Sequence, residues 1–326
     1  MTMNDKNDYT VHLITGEDNA VVNTDPINNI IGQDEVCNKM SFFLESHSEE
    51  VPFPTMLFTG SQGLGKSYTA AKIADALGRE LIEINCRSID STKQFIEDVL
   101  FARVVGPEPK TLLLDESHNL CSDITDTLLT LLNPNKDNVN YYNYKNWTIE
   151  YDLSKINLIF ATTDAHKMFR PLINRCEEVY FHSYDNDELF EILNFYLPEI
   201  KLRCSKKDIS DACRGRARDA FILSQNVRRY CKMKKVKTLD KKGWENIKGI
   251  FNIYPCGLNS QEIKLMNILA NDAPISCRNI AIRLGVNESN VESELELRPR
   301  ELGFIENSSR GRLLTDNGKQ YITQLA

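Results

Sequence analysis

The chain has 326 residues, 41% of them hydrophobic and 26% charged, with a formal net charge of −7. That length suits two or three domains with a substantial core; no apolar run approaches a bilayer span, and the polar start lacks the apolar stretch of a secretory leader. Nine cysteines, scattered singly without a C-x-x-C pair, and five histidines without ligand spacing exclude a disulfide scaffold and a zinc site and point to reduced thiols in a cytoplasmic compartment.

Residues 1–24 are polar and rich in Asn and Asp, which predicts a flexible arm. From about 25 to 184, apolar strand-like runs at 55–59, 80–84, 111–114 and 157–162 alternate with helical patterns. Such alternation predicts an α/β unit: a parallel sheet covered by helices on both faces. The first run leads directly into Gly60-Ser-Gln-Gly63-Leu-Gly65-Lys66-Ser67, followed by a helical pattern opening at Tyr68. This is a phosphate loop in its strand–loop–helix setting. Its glycines let backbone N–H groups turn toward phosphate oxygens, Lys66 reaches the β- and γ-phosphates, and the Ser67 hydroxyl suits Mg2+. The chain is therefore expected to bind ATP, with Gly60, Gly63, Gly65, Lys66, Ser67 and Tyr68 about the nucleotide.

The run 111–114 ends in Asp115 and Glu116, two carboxylates at the C-terminal end of a buried strand, where ligands of open α/β sheets bind. Asp115 would hold the metal through a water, and Glu116 would polarise the attacking water. The run 157–162 ends in hydroxyls, and Thr163 is positioned to touch the γ-phosphate or that water. Next comes Arg170-Pro-Leu-Ile-Asn-Arg175, whose guanidinium could reach a neighbouring subunit's γ-phosphate as an arginine finger does.

From 185 to 254 the patterning is helical throughout, a lid-like segment with a basic stretch from Lys201 to Lys248. That stretch is either a solvated helix face or a contact for nucleic acid or a partner. Within it, Arg214-Gly-Arg216-Ala-Arg218 opens a helix and could bring an arginine onto the same nucleotide from inside the chain. Pro255-Cys-Gly257 introduces a third unit, 255–326, that reads as a winged helix. It has a helix at 260–271 capped by Ser260, then a helix–turn–helix over 275–302, then two short strands flanking a tip with Arg310 and Arg312. Those arginines are the expected DNA contacts; a protein-binding winged helix is the alternative.

Taken together, these residues resemble the RuvB family, the AAA+ motors that drive Holliday-junction branch migration, over about 26–322. Ile31-Gly32-Gln33 resembles the family's opening I-G-Q, which packs near the adenine; Gly63-Leu-Gly65-Lys66-Ser67 is similar to G-L-G-K-T, and Asp115-Glu116-Ser117-His118 to D-E-I-H. Ala161-Thr162-Thr163 is similar to A-T-T, which implies a sensor role for Thr163. Pro171-Leu-Ile-Asn-Arg175 resembles P-L-R-D-R, which implies that Arg175 is the trans finger. Tyr184 matches the tyrosine that lies against the base, and Arg214 through Arg218 is similar to R-G-T-P-R, making Arg218 the cis sensor. Gly303-Phe-Ile305 through Arg310-Gly-Arg312 to Thr315 resembles the family's wing.

The resemblance implies an AAA+ ATPase domain, a helical lid and a winged helix, assembled as a hexamer that translocates duplex DNA by ATP hydrolysis at four-way junctions. It implies cytoplasmic work, in a host's cytoplasm if the gene is viral, and no membrane partner. Where the family has a hairpin that grips its partner RuvA, this chain has 138–152 with Tyr141, Tyr142, Tyr144 and Trp147. Aromatic side chains make good protein-contact anchors, so a RuvA-like junction-binding protein or an equivalent is expected there. The departures are Asp25 before Pro26, Ser61-Gln62 in the phosphate loop, and this aromatic hairpin. The alternative is a loader, an AAA+ ATPase that engages and releases a clamp, helicase or initiator on DNA; Asn174-Arg175-Cys176 faintly resembles the clamp loaders' S-R-C.

Overall fold

The protein is described by a computed structural model over residues 25–48 and 50–325, so the expected arm at 1–24 lies outside the described residues. Seven strands form between 56 and 180: β1 (Met56–Thr59), β2 (Glu80–Asn85), β3 (Lys110–Asp115), β4 (Val139–Tyr144), β5 (Trp147–Asp152), β6 (Ile156–Thr162) and β7 (Glu177–Tyr180). Five make one parallel sheet in the order β2-β3-β6-β1-β7. All four expected strand runs are members of it.

Every residue of β1 and β6 is buried, and alternate side chains enter different cores because successive residues of a strand point to opposite faces. Met56, Phe58, Leu113, Ile159 and Ala161 pack on one side. Leu57, Leu112, Leu114, Leu158 and Phe160 pack on the other. Both faces are therefore covered, as an all-parallel sheet requires. The segment Phe95–Val104, to which the sequence pattern assigns no element, is helical and seals the second face with Phe95, Ile96, Val99 and Leu100.

Register decides what the sheet presents. Thr59 pairs with Thr162 and Leu114 with Phe160, so β1, β3 and β6 end side by side. The phosphate loop, the two carboxylates and the threonine pair thus leave the sheet at one edge.

Beyond β7 come the helices Asn186–Tyr196, Lys206–Asp211, Ala217–Lys234 and Lys241–Phe251. They enclose Leu189, Leu193, Val227 and Trp244 in a core continuous with the first sheet face. The helical reading of this segment did not include one feature: a short parallel pair, β8 (Lys201–Arg203) with β9 (Thr238–Asp240).

The last unit has its own core around Leu265, Met266, Leu269 and Ile280. Its helices Ser260–Asp272 and Cys277–Leu284 precede the antiparallel wing β10 (Ile305–Ser308) and β11 (Gly311–Leu314) and the helix Asp316–Leu325. Two sequence expectations change here. The first helix is capped by Asn259, not Ser260, in a reciprocal capping box with Glu262. The expected helix over 288–302 forms but is not regular: Glu288–Asn290, Val291–Leu295 and Leu297–Glu301 follow one another with helical backbone at each junction. A wide turn, in which the Glu296 N–H donates to the Val291 carbonyl at 2.9 Å, draws Glu296 into the interior.

Candidate nucleotide site

The phosphate loop folds as its glycines dictate. Gly60, Gly63 and Gly65 have φ of 147°, 84° and 100°, a region L side chains avoid. A Cβ on Gly60 would also sit 2.7 Å from the Phe181 carbonyl oxygen. Gly65 then caps the helix Lys66–Ala76, so the first amides of that helix face the loop. The Lys66 ammonium is buried and donates to the Gly60 and Ser61 carbonyls at 2.7 and 2.9 Å. Burial pulls its pKa below the usual lysine value, opposed by Asp115 and Glu116 and reinforced by Arg218.

One cleft is lined by Ile31, Gly63, Gly65, Lys66, Ser67, Tyr68, Asp115, Glu116, Tyr184 and Arg218. Parts expected about a nucleotide are therefore gathered from five separate stretches of chain, while Gly60, behind the loop, and Thr163 are not in the lining. The Tyr184 phenol donates to the Leu64 carbonyl at 3.1 Å, and its backbone N–H donates to the Gly215 carbonyl at 3.0 Å. It thus braces the phosphate loop from the lid side, and burial pushes its phenol well above the ordinary tyrosine range. The Arg218 N–H donates to the Gly63 carbonyl at 3.2 Å, which ties the lid helix to the same loop.

Ser67 and Asp115 bring a hydroxyl and a carboxylate to this cleft. Hard oxygen donors of this kind fit Mg2+, which takes few protein ligands and fills its shell with phosphate and water. Among the described residues no cluster of three or more His, Cys, Asp or Glu is arranged to hold a metal by itself.

Glu116 begins a turn with φ of 53°, and the Asp115 carboxylate accepts its N–H at 2.9 Å. The Thr163 hydroxyl donates to Glu116 Oε2 at 3.3 Å. One further group at this carboxylate, backed by a buried hydroxyl, carried no assigned role in the sequence reading. His118 Nδ1 lies 3.5 Å from the same oxygen and 2.8 Å from the hydroxyl of Thr162, which is fully buried. The signal was present, a His two residues after the Glu, but its partner lies 44 residues away.

Arg175 follows the short helix Arg170–Ile173 and is not among the residues lining this cleft. At the wing, Arg310 is exposed at the hairpin tip. The Arg312 guanidinium is ion-paired within the domain, donating to Glu292 at 2.5 Å and to Glu296 at 3.0 Å. Glu296 has no exposed surface, and a buried carboxylate requires cations; Arg300 and Arg312 supply them.

The hairpin β4–β5 divides its aromatic residues between two faces. The pleat turns Tyr142 and Tyr144 inward, where they join the core on the second side of the sheet and bond Thr127 of the helix Ser122–Leu131 at 3.2 Å and Glu97 of the helix Phe95–Val104 at 3.1 Å. Tyr141 points outward and is 60% exposed; Trp147 is placed opposite Tyr144 by register. No helix among the described residues is long and apolar enough to cross a membrane.

Residues 56–184 match the family model for ATPases associated with various cellular activities (AAA), and 255–323 match the RuvB C-terminal winged helix domain. The Holliday junction branch migration complex subunit RuvB of Prochlorococcus marinus (strain MIT 9515) is 29% identical over 310 residues, covering 90% of this chain and 85% of the relative. That of Mycoplasma genitalium is 22% identical over 298 residues, covering 90% and 94%. The solved Thermotoga maritima RuvB Holliday junction branch migration motor superposes with a TM-score of 0.73 at 21% identity, covering 90% of this chain and 95% of that one. With an AAA domain carrying this cleft and a RuvB-type winged helix behind it, the chain belongs to the RuvB family of AAA+ ATPases as a distant member.

Proposed function

We propose that this protein is an ATP-driven motor that moves duplex DNA and drives branch migration of four-way junctions, working in the cytoplasm as a ring of copies, six by family analogy. The observation that supports it most is the single cleft where Lys66, Ser67, Asp115, Glu116 and Arg218 converge, on a chain that also carries a winged helix. Lys66 neutralises the β- and γ-phosphate charge, and Glu116 orients the attacking water and draws on its proton. Thr163, bonded to that carboxylate, ties its position to the γ-phosphate. Mg2+ held by Ser67 and Asp115 would supply charge stabilisation at the phosphates. Arg218 closes the site from the lid. Arg175, outside its own cleft, is assigned to a neighbouring copy's nucleotide. The outward face of the hairpin at Tyr141 is the docking point for a RuvA-like junction-binding protein or its equivalent.

The test is ATP turnover with and without a synthetic four-way junction, with junction dissociation followed on a gel and Glu116→Gln as the control. Junction-stimulated turnover with strand separation supports the motor, and the Gln variant should lose on the order of a hundredfold or more in kcat. A loader is favoured by one observation, the ion-paired Arg312 in a winged helix without excess positive charge. ATP-dependent retention of a protein partner without strand movement would select it.

A further inference from the structure

The positive charge of this chain does not sit where its DNA-binding fold would put it. Residues 255–326 contain eight Lys and Arg against nine Asp and Glu, whereas 185–254 contain sixteen against ten. In the winged helix, moreover, Arg283, Arg298, Arg300 and Arg312 are each engaged by an acidic side chain.

The lid is different at one end. Lys232, Lys234, Lys235, Lys237, Lys241 and Lys242 are all exposed, and none has an ion pair recorded among the described residues. They follow one continuous path. The helix Ala217–Lys234 ends in a left-handed turn at Lys235, with the Val236 N–H returned to the Cys231 carbonyl at 3.0 Å. The chain then runs along β9, where the Lys201 N–H donates to the Lys237 carbonyl at 2.9 Å and brings one more lysine alongside. It turns directly into the helix Lys241–Phe251. The acid within this path, Asp240, is occupied in capping that helix through the Gly243 N–H at 2.7 Å.

Helix chemistry explains part of this pattern. Lys232 and Lys234 suit the negative end of a helix macrodipole, but Lys241 and Lys242 stand at the positive end of the next helix, where cations are unfavourable. Fold stability gives no reason for that second pair. A single small anion would need a walled pocket with fixed donors. A row of long, mobile ammonium groups instead matches a repeating line of phosphates, which gains from counterion release without fixed geometry.

We infer that this lysine-edged end of the lid, spanning 232–242, grips the phosphodiester backbone of duplex DNA as a contact additional to the wing. The inference rests on the reading of the protein as acting on DNA, and it places the larger share of the electrostatic grip on the lid.

The test is fluorescence anisotropy of the full chain, with a non-hydrolysable ATP analogue and a labelled duplex, across a salt series. Lys232→Gln, Lys235→Gln, Lys237→Gln and Lys241→Gln in combination should reduce the slope of log affinity against log salt by about 3.6 and weaken binding at least tenfold at low salt. Arg310→Gln alone should reduce the slope by about 1. Four Lys→Arg changes at the same positions should restore the wild-type slope. Nucleotide affinity and the fluorescence of Trp244, buried in the lid core, report that the variants are folded; should the fourfold variant fail there, Lys235→Gln with Lys237→Gln should reduce the slope by about 2. Wild-type protein that binds duplex DNA with a slope the Gln variants leave unchanged overturns the lid contact and leaves the motor reading standing. A wild-type chain that binds no duplex at any salt overturns both.

Discussion

The ion pair between Arg214 and Glu262 joins the nucleotide site to the winged helix, and its removal has a calculable effect. Glu262 has no exposed surface, and the Arg214 side chain is 19% exposed. Glu262 Oε2 also accepts the Asn259 N–H at 2.7 Å, closing the capping box of the helix Ser260–Asp272. Arg214→Met keeps the length and removes the charge, leaving a buried carboxylate with one backbone donor. Breaking a buried pair from one side costs about 3–5 kcal/mol; the remaining Asn259 bond favours the lower end, about 3 kcal/mol.

The cost is pH-dependent in a defined direction. Burial already holds the Glu262 carboxyl above the usual glutamate value, with Arg214 pulling it back. Without Arg214 it rises further, so the folded state takes up a proton the unfolded chain does not. Stability of the variant therefore falls as pH rises from the unfolded glutamate value through the raised folded one. Hydrogen exchange of the 260–272 amides reads this locally. At pH 8, 3 kcal/mol is a protection loss on the order of a hundredfold, and it should shrink markedly at pH 5 once intrinsic rates are removed. A loss below about fivefold, or one equal at both pH values, would refute the reasoning. Because Gly215, next to Arg214, and Arg218, at the start of the helix that follows, bond Tyr184 and Gly63, the same variant should blunt DNA stimulation of ATP turnover more than basal turnover.

Three further outcomes follow from the site. His118→Ala removes one of the groups beside Glu116 and should lower kcat about tenfold or more while KM for ATP moves less than threefold, as measured by steady-state kinetics. Tyr184→Phe deletes the bond to Leu64 and should cost about 1 kcal/mol of nucleotide affinity or loop stability, read by titration with a fluorescent ATP analogue. Gly60→Ala meets both a φ of 147° and the Phe181 carbonyl at 2.7 Å. It should destabilise the domain by about 1–3 kcal/mol in chemical denaturation, with nucleotide binding lost in step.

The phosphate loop, the carboxylates closing β3, the hydroxyls closing β6 and the buried sheet were legible in sequence because each is set by local chemistry. A glycine's freedom, a helix start and a strand's two-residue period act within a few residues of their cause. Even there, local reading placed the helix cap at Ser260 where Asn259 holds it, since two neighbouring polar residues compete for one role and packing chooses.

What only the tertiary structure decided are pairings between residues distant along the chain. Glu116 meets Thr163 because β3 and β6 are neighbours, and His118 meets Thr162 for the same reason. Arg312 is ion-paired because a wide turn buries Glu296 within its reach. The alternation of the hairpin tyrosines is visible in sequence, but which parity faces inward depends on the helices it lies against. An electrostatic partner is chosen by three-dimensional proximity and burial, and neither is written in residue order.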